Sequence, residues 1–239
     1  MTEPVKLCAE AYAAWHTSWL TALGVRSERV DGLWRALDPP PRIYLAAITL
    51  TPDVASSRLS DLHGSVGDAW QTLDLDRFGF RVWREEPWFY RPAGPARADV
   101  PAELEIVHVQ TADEVLEFEA VSVRGFGTED DVIEAGTWHP ASVLEDDAMK
   151  MFIGRVEGRA VASSMGYVLD GAVGVFGVTT VASARRRGYG AALTRAAMLA
   201  ETGLPAVLAP SEEAASMYRG LGFEPVGALT IWTKPVPGR

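Results

Sequence analysis

One stretch of the chain decides its fold: Val173-Gly-Val-Phe-Gly-Val-Thr-Thr-Val-Ala-Ser-Ala-Arg-Arg-Arg-Gly-Tyr-Gly-Ala-Ala-Leu193. Its first nine residues predict a strand and its last residues begin a helix. The turn between them, Arg185–Gly190, combines three arginines with glycines at 188 and 190, where the backbone can approach a ligand closely. Because backbone N–H groups at a helix start attract anions, this turn indicates a pyrophosphate site. A solvated arginine cluster at an ordinary helix start is the alternative.

The residues after this stretch continue an alternation of strands and helices. A crossover helix ending near Gly203 leads to a short buried strand, Ala206–Ala209. Ser211 is placed to cap a second helix, which stops at Gly220-Leu221-Gly222-Phe223. We predict a final hairpin broken near Gly227.

The residues before it fit the same pattern. Leu104–Val109 alternates like a strand, and Thr111–Glu114 is a capping box that opens a helix through Phe126. Residues 151–156 and 160–168 flank a turn and predict a hairpin. Together with the strand at 173–181, they predict three sequential antiparallel strands.

Two halves are predicted, joined by the proline-rich segment Arg91–Pro101. They are an N-terminal α/β domain over residues 1–95 and a second domain over 103–239. In the first we predict a tryptophan-rich helix (Trp15, Trp19, Leu23), a strand at Ile43–Leu50 and a helix over Ser56–Trp70. Its end, Phe78-Gly79-Phe80 followed by Pro87–Pro92, is similar to Leu221–Phe223 followed by Ile231–Pro235. A degenerate repeat and a chance match both explain this similarity.

Composition excludes several classes of function. The net charge of −10 argues against a nucleic-acid-binding domain and mildly favours cationic partners such as amines. The single cysteine, Cys8, excludes an internal disulfide and offers no metal-site spacing, so we expect no metal. The longest apolar run, Ile43–Ile48, is far shorter than the roughly 20 residues that span a bilayer. We therefore expect a cytoplasmic protein that does not associate with membranes.

Two motifs give the C-terminal half a family resemblance. Arg-x-x-Gly-x-Gly at Arg185–Gly190 is followed by Ser-x-x-Ala-x-x-Met-Tyr-x-x-Leu-Gly-Phe at Ser211–Phe223. Their order and spacing resemble the GCN5-related N-acetyltransferase (GNAT) family over roughly residues 103–235. The resemblance implies a mixed α/β acyl-CoA N-acyltransferase fold, preceded here by a smaller domain that is a candidate degenerate half. It also implies acetyl-CoA as the acyl donor and an amine as the acceptor, in a monomer or homodimer.

The resemblance assigns roles to individual residues. The backbone of the turn would cradle the pyrophosphate, and the strand end before it would pair with the pantetheine arm and help polarise the thioester carbonyl. These donor-binding positions are Val178, Thr179, Thr180, Arg185, Arg186, Arg187, Gly188, Tyr189, Gly190 and Ala191. Arg186 and Arg187 could also reach the 3′-phosphate of CoA or remain solvated. The family's proline before the turn is Ala182 here, which weakens the loop assignment.

Tyr218 matches the tyrosine that commonly protonates the leaving thiolate, with a core tyrosine as the alternative. Ser211 stands where many members carry an asparagine that contacts the pantetheine region, although an N-cap also explains it. No acidic residue lies on the strands where the family often places its base. The remaining candidates are Glu129, Asp130, Asp131 and His139, or a water chain.

Two functions therefore compete. The first is an N-acetyltransferase acting on a primary amine of a small molecule or peptide, and the second is a non-catalytic acyl-CoA-binding module. A Rossmann or P-loop nucleotide site is excluded because neither Gly-x-Gly-x-x-Gly nor Gly-Lys-Ser/Thr occurs.

Overall fold

The computed structural model of the protein describes residues 2–95 and 99–235. The described chain divides into two compact units. The first unit contains residues 2–90, 207–215 and 224–235, and the second contains residues 91–95, 99–206 and 216–223. The boundary at 90/91 falls at the start of the predicted linker, but the last strand of the chain groups with the N-terminal residues.

The first unit is built on a mixed set of strands and one long helix. Its elements are α1 (Thr2–Ala22), β1 (Ser27–Val30), β2 (Leu33–Ala36), β3 (Ala47–Thr49), β4 (Gly64–Asp68), β5 (Arg81–Arg91), β10 (Ala206–Leu208) and β11 (Glu224–Lys234). The strand order is β1-β2-β3-β4-β11-β5-β10. The β3–β4 pair is parallel, whereas β1–β2, β2–β3, β4–β11 and β5–β11 are antiparallel. The predicted α/β class with a mixed sheet is confirmed.

Three tryptophans lie in the core of the first unit. Trp19, Trp34 and Trp88 are at most 1% exposed. The indole of Trp34 donates to Thr17 Oγ1 at 2.8 Å, and that of Trp88 donates to the carbonyl of Ala69 at 3.1 Å. Because buried indoles need a hydrogen-bond acceptor, these contacts fix the ring positions as well as filling space.

The second unit carries the elements that surround the Arg185–Gly190 turn. They are β6 (Glu105–His108), α2 (Ala112–Phe126), β7 (Met149–Val156), β8 (Arg159–Leu169), β9 (Ala172–Thr180), α3 (Tyr189–Met198) and α4 (Ala215–Gly220). Strands β7, β8 and β9 are sequential and antiparallel, as predicted, and β6 adds a fourth strand antiparallel to β7. The capping box at the start of α2 is also confirmed, since Thr111 and Glu114 each bond the other's backbone N–H. Leu193 of α3 packs with Leu104 and Val121 in the core between strands and helices.

The predicted linker begins with a hydrogen-bonded arginine. The Arg91 guanidinium, 8% exposed as a residue, donates to the carbonyls of Pro92, Gly94 and Pro95 and to that of Leu221. These four bonds fix the start of the predicted linker within the second unit. Residues 96–98 lie outside the described residues.

Three local predictions are wrong. Residues 56–70 form a 3-10 turn (Ser56–Leu59) and strand β4 rather than a helix. The final hairpin is a single strand, β11, with a register shift between Pro225 and Gly227. Helix α3 ends at Met198, earlier than the predicted stop at Gly203. The close approach of α1 explains the glycine at position 227, because a Cβ there would lie 2.9 Å from Val5 Cγ2.

The two similar segments adopt the same turn. Phe80 N–H bonds the carbonyl of Leu75 and Gly79 N–H that of Asp76, while Phe223 bonds Tyr218 and Gly222 bonds Arg219 in the same way. Both are Schellman motifs with a left-handed glycine, at φ +84° for Gly79 and +88° for Gly222. Each leads into an 11-residue strand, β5 or β11. The repeat stays a prediction, now with a shared backbone geometry in its favour.

No helix in residues 2–95 and 99–235 is long and apolar enough to cross a membrane.

Candidate active site

A β-bulge near the end of β9 releases backbone groups from the ladder. Phe176 pairs with Met165 and Thr179 with Ser163, so Gly177 and Val178 together stand opposite the single residue Ser164. Gly177 adopts φ +58°, a conformation that favours glycine. Its carbonyl accepts from Ser163 Oγ at 3.4 Å, while Ser163 Oγ and Ser122 Oγ lie 3.0 Å apart. Because the extra residue of a bulge stays unpaired, the backbone of Val178 can pair with a ligand.

Helix α2 packs closely on β9 just past the bulge. The contact is made by Gly125, where a Cβ would lie 2.5 Å from Thr179 Oγ1. The Arg185 guanidinium joins the same two elements, donating from Nε to the carbonyl of Thr180 and from Nη2 to that of Gly125, both at 3.0 Å. Arg185 therefore fixes the end of β9 with its side chain. Because its guanidinium is occupied, only the backbone of Arg185 can take the predicted position beside the phosphates.

The turn itself has the geometry of an anion cradle. Arg186 and Gly188 are left-handed, at φ +67° and +83°, and Gly188 is the N-cap of α3. Within the described chain no side chain caps this helix, and the first bond of the helix runs from Ala192 N–H to the carbonyl of Gly188 at 3.1 Å. The N–H groups of the first turn, on residues 189–191, thus have no partner along the helix. The arrangement offers several donors and the positive end of a helix dipole to one anion.

The side chains of the turn have two roles: some anchor it, and one is available to a ligand. Tyr189 is 1% exposed, its hydroxyl donates to Glu103 Oε1 at 2.8 Å, and Arg187 also hydrogen-bonds it. These contacts anchor the base of the turn. Arg186 is exposed, and no hydrogen bond or ion pair with another described residue holds its guanidinium. Of the three arginines, Arg186 is the one free to contact a phosphate.

Tyr218 lies behind the cradle on α4. It is 6% exposed, and burial raises the pKa of its hydroxyl to about 12. The hydroxyl bonds the side chain of Thr194, whose Oγ1 in turn donates to the carbonyl of Gly190 at 2.8 Å. One threonine therefore links the predicted acid to the last glycine of the turn.

Three of the four candidate side-chain bases are poorly suited to that role. Glu129 accepts from the Ser183 N–H at 2.6 Å, and this bond holds the pKa of the carboxyl below its usual value. Asp131 accepts from the N–H and hydroxyl of Thr128, both at 2.9 Å, which lowers its pKa too. Burial lowers the pKa of His139 to about 3. Each of the three is a weaker base than an unperturbed group of its type.

Sequence reasoning missed Glu119, a carboxylate on the buried face of α2. It is 2% exposed and accepts from the backbone N–H groups of Gly136 at 2.6 Å, Trp138 at 2.7 Å and His139 at 2.8 Å. These bonds compensate the cost of burying the charge and fix the loop that follows α2. The available signal was an acidic residue within an apolar stripe, beside Phe118 and four positions from both Val115 and Val123.

Ser211 stands at the N-cap position of a 3-10 turn, Glu212–Ala214, that leads into α4. Within the described residues its side chain makes no capping bond, so the predicted cap is wrong and the hydroxyl is left for another partner. Among the described residues, no group of three or more His, Cys, Asp or Glu side chains is placed to hold a metal ion.

Comparison with known proteins adds the fold family. No protein-family model and no curated protein sequence matches the chain. A GCN5-related N-acetyltransferase from Kribbella flavida is similar in structure, with a TM-score of 0.66, 21% identity and coverage of 94% of this chain and 96% of that chain. A structure assigned to the GNAT family, from Novosphingobium aromaticivorans, has a TM-score of 0.59 at 20% identity and covers 97% and 99% of the two chains. The chain therefore has the GNAT fold, as its motifs predicted.

Proposed function

We propose that the protein is an acetyl-CoA-dependent N-acetyltransferase acting on a primary amine of a small molecule or peptide. The observation that carries the proposal is the uncapped start of α3, with Gly188 left-handed, directly after the bulged end of β9. The uncapped start of α3 suits a pyrophosphate, and the bulged end of β9 suits an extended acyl-pantetheine arm. A cytoplasmic location is part of the same proposal.

Each group of the site has a separate role in the proposed acetyl transfer. The N–H groups of residues 189–191 hold the pyrophosphate, with Arg186 beside it. The Val178 backbone donates to the thioester carbonyl, where negative charge develops as the amine nitrogen forms its bond to carbon. Tyr218 donates its proton to the sulfur as the carbon–sulfur bond breaks. Ser211 and Thr179 stay predicted contacts of the pantetheine arm.

The proton lost by the amine goes to water in this proposal, with the exposed Asp130 as the alternative base. Glu129 and Asp131 hold neighbouring backbone groups, and His139 is buried with a pKa of about 3. A water base serves an acceptor amine that is already partly neutral near pH 7. The acceptor is therefore expected to have a lower pKa than an alkylamine such as lysine.

The first experiment separates the enzyme from a non-catalytic acyl-CoA-binding module. Acetyl-CoA should raise the melting temperature, because it binds the folded chain alone. An amine panel should then reveal acetyl-CoA-dependent CoA release, with Tyr218→Phe losing at least about tenfold in kcat and keeping the acetyl-CoA shift. Tyr90→Phe, on β5, is the matched control and should keep both. A shift without turnover on any amine favours the binding module, and no shift at saturating acetyl-CoA contradicts both functions.

We further propose that the N-terminal half is a degenerate acetyltransferase-like half. Each half runs from a helix through three antiparallel strands and one short strand to a Schellman turn and an 11-residue strand. Between β3 and β4, however, the described chain has only the 3-10 turn Ser56–Leu59, where the C-terminal half has the glycine turn and α3. The N-terminal half thus lacks a cradle. Calorimetry should find one acetyl-CoA per chain, and a stoichiometry of two would contradict this assignment.

A further inference from the structure

A cavity of about 580 Å³ lies in the first unit, at the ends of β2, β4 and β11. Its volume is within the range of small-molecule sites, roughly 300–1,000 Å³. The cavity is lined by residues that no step of the proposed acetyl transfer uses. Its inferred role is therefore independent of the proposed function.

The walls are apolar and rich in rings. Pro39, Pro40 and Pro41 follow one another along one side, and since proline has no N–H, they offer carbonyl acceptors but no backbone donor. Tyr44, 3% exposed, and Trp83, 59% exposed, add aromatic surface. Tryptophan is enriched at binding surfaces, and this exposed indole is held by the Arg84 guanidinium, whose Cζ lies 4.3 Å from the ring centre. These walls suit the apolar body of a ligand.

The charges at the cavity favour an anion. Asp38 is neutralised by Arg26, which donates from Nε at 3.0 Å and from Nη2 at 3.2 Å. His63 Nδ1 donates to the Pro235 carbonyl at 2.9 Å, and Lys234 Nζ donates to the Ser60 carbonyl at 2.8 Å. The Arg42 guanidinium has no hydrogen bond or ion pair with any other described residue. In a chain of net charge −10, this leaves an excess of positive charge at an apolar cavity.

We propose that this cavity binds a small aromatic carboxylate, whose carboxylate pairs with Arg42 and whose ring packs against Trp83 and Tyr44. Arginine binds a carboxylate through two parallel N–H bonds, which gives the site a preferred orientation for its ligand. The three prolines leave few competing donors. The site thus distinguishes an anion from a neutral amide of the same shape.

The test is calorimetry with three ligands of similar shape: phenylacetate, phenylacetamide and phenethylamine. Saturating CoA is present, so that binding at the proposed acetyl-CoA site does not contribute to the measured heat. Phenylacetate should bind with a Kd at or below about 1 mM, and the amide and the amine at least about tenfold more weakly. Arg42→Gln and Trp83→Ala should each weaken phenylacetate by at least about tenfold. Arg81→Gln is the matched control, because Arg81 is an exposed first-unit arginine paired with Asp76 and lies outside the cavity lining.

Three results would overturn the proposal. They are the absence of phenylacetate binding up to about 10 mM, equal binding of the amide or the amine, and full binding by Arg42→Gln.

Discussion

At the scale of single residues, two left-handed positions shape the turn. Gly188 at φ +83° and Arg186 at φ +67° share a conformation that costs a residue with a Cβ about 1 kcal/mol or more. At Gly188 an added Cβ would be 3.6 Å from Pro101 Cγ, an ordinary contact, so the backbone alone requires glycine there. Arg186 adopts the same strained conformation although it has a Cβ, which is consistent with a functional need for its positive charge.

Substitutions at these two positions should have opposite effects. Gly188→Ala should lower the free energy of unfolding by about 1–2 kcal/mol. Arg186→Gly should leave it unchanged or raise it by up to about 1 kcal/mol, because relief of strain offsets the greater freedom of the unfolded chain. Urea unfolding measures both. Arg186→Gly should nevertheless weaken acetyl-CoA binding, and unweakened binding would remove Arg186 from the phosphate site.

The second residue-scale prediction concerns the bond between Tyr218 and Thr194. Thr194→Val keeps the shape and removes the hydroxyl that interacts with the Tyr218 hydroxyl, so kcat should fall by about tenfold while the KM for acetyl-CoA changes little. Thr194→Ser should restore kcat, because it restores the hydroxyl. Equal loss in the serine and valine variants would assign Thr194 to packing alone.

At the scale of elements, the approach of α2 to β9 places the strand end. Gly125→Ala puts a methyl group 2.5 Å from Thr179 Oγ1, and the expected cost is about 1–3 kcal/mol. Gly125→Ala combined with Thr179→Ala should recover much of that loss, since the clash is between these two side chains. Gly220→Ala is the control: its Cβ would meet nothing within 4 Å, and an exposed helix glycine replaced by alanine should stabilise by up to about 1 kcal/mol. Additive losses in the double variant would contradict the clash.

Elements with strong local signals were predictable, and elements set by distant contacts were not. The capping box at Thr111 and the hairpin around Gly158 are each determined by residues that are neighbours in the sequence. The segment 56–70 was misread because Leu59, Leu62 and Val66 have helical spacing, whereas Val66 lies in β4 and pairs with β3 and β11. Glu119 was missed for the same reason, since the backbone groups that donate to it lie 17 to 20 residues later in the chain. The turn at Arg185–Gly190 was recognisable because its chemistry is local.

At the scale of the whole molecule, each unit contains one buried neutral histidine. His16, 1% exposed, contacts the rings of Tyr12, Trp15, Trp34 and Tyr44, and burial lowers its pKa to about 4. His139, 6% exposed, stacks edge-on against Phe118, and its pKa is about 3. The unfolded chain, with histidine pKa values near 6.5, takes up these protons first as the pH falls.

Stability should therefore be complete above about pH 6.5 and decrease towards pH 4. Between pH 7 and 5 each histidine is expected to cost about 2 kcal/mol, from about 1.4 kcal/mol for each pH unit below 6.5. His16→Phe, which keeps an aromatic ring in the cluster, should lose less stability over this interval than the parent chain. Urea unfolding at both pH values gives the difference. An unchanged loss in His16→Phe would show that other groups set the acid sensitivity.

The strand order of the first unit governs when it can fold during synthesis. Strand β11 lies between β4 and β5, although more than a hundred residues separate it from them in the chain. At about 5–20 residues per second, β5 leaves the ribosome on the order of ten seconds before its partner exists. During that interval both edges of β5 are open to pairing with other chains, because β10 and β11, the strands on either side of it, are made later. The N-terminal half is thus made first and completed last, and a nascent chain held by a chaperone until Lys234 emerges would be protected from that pairing.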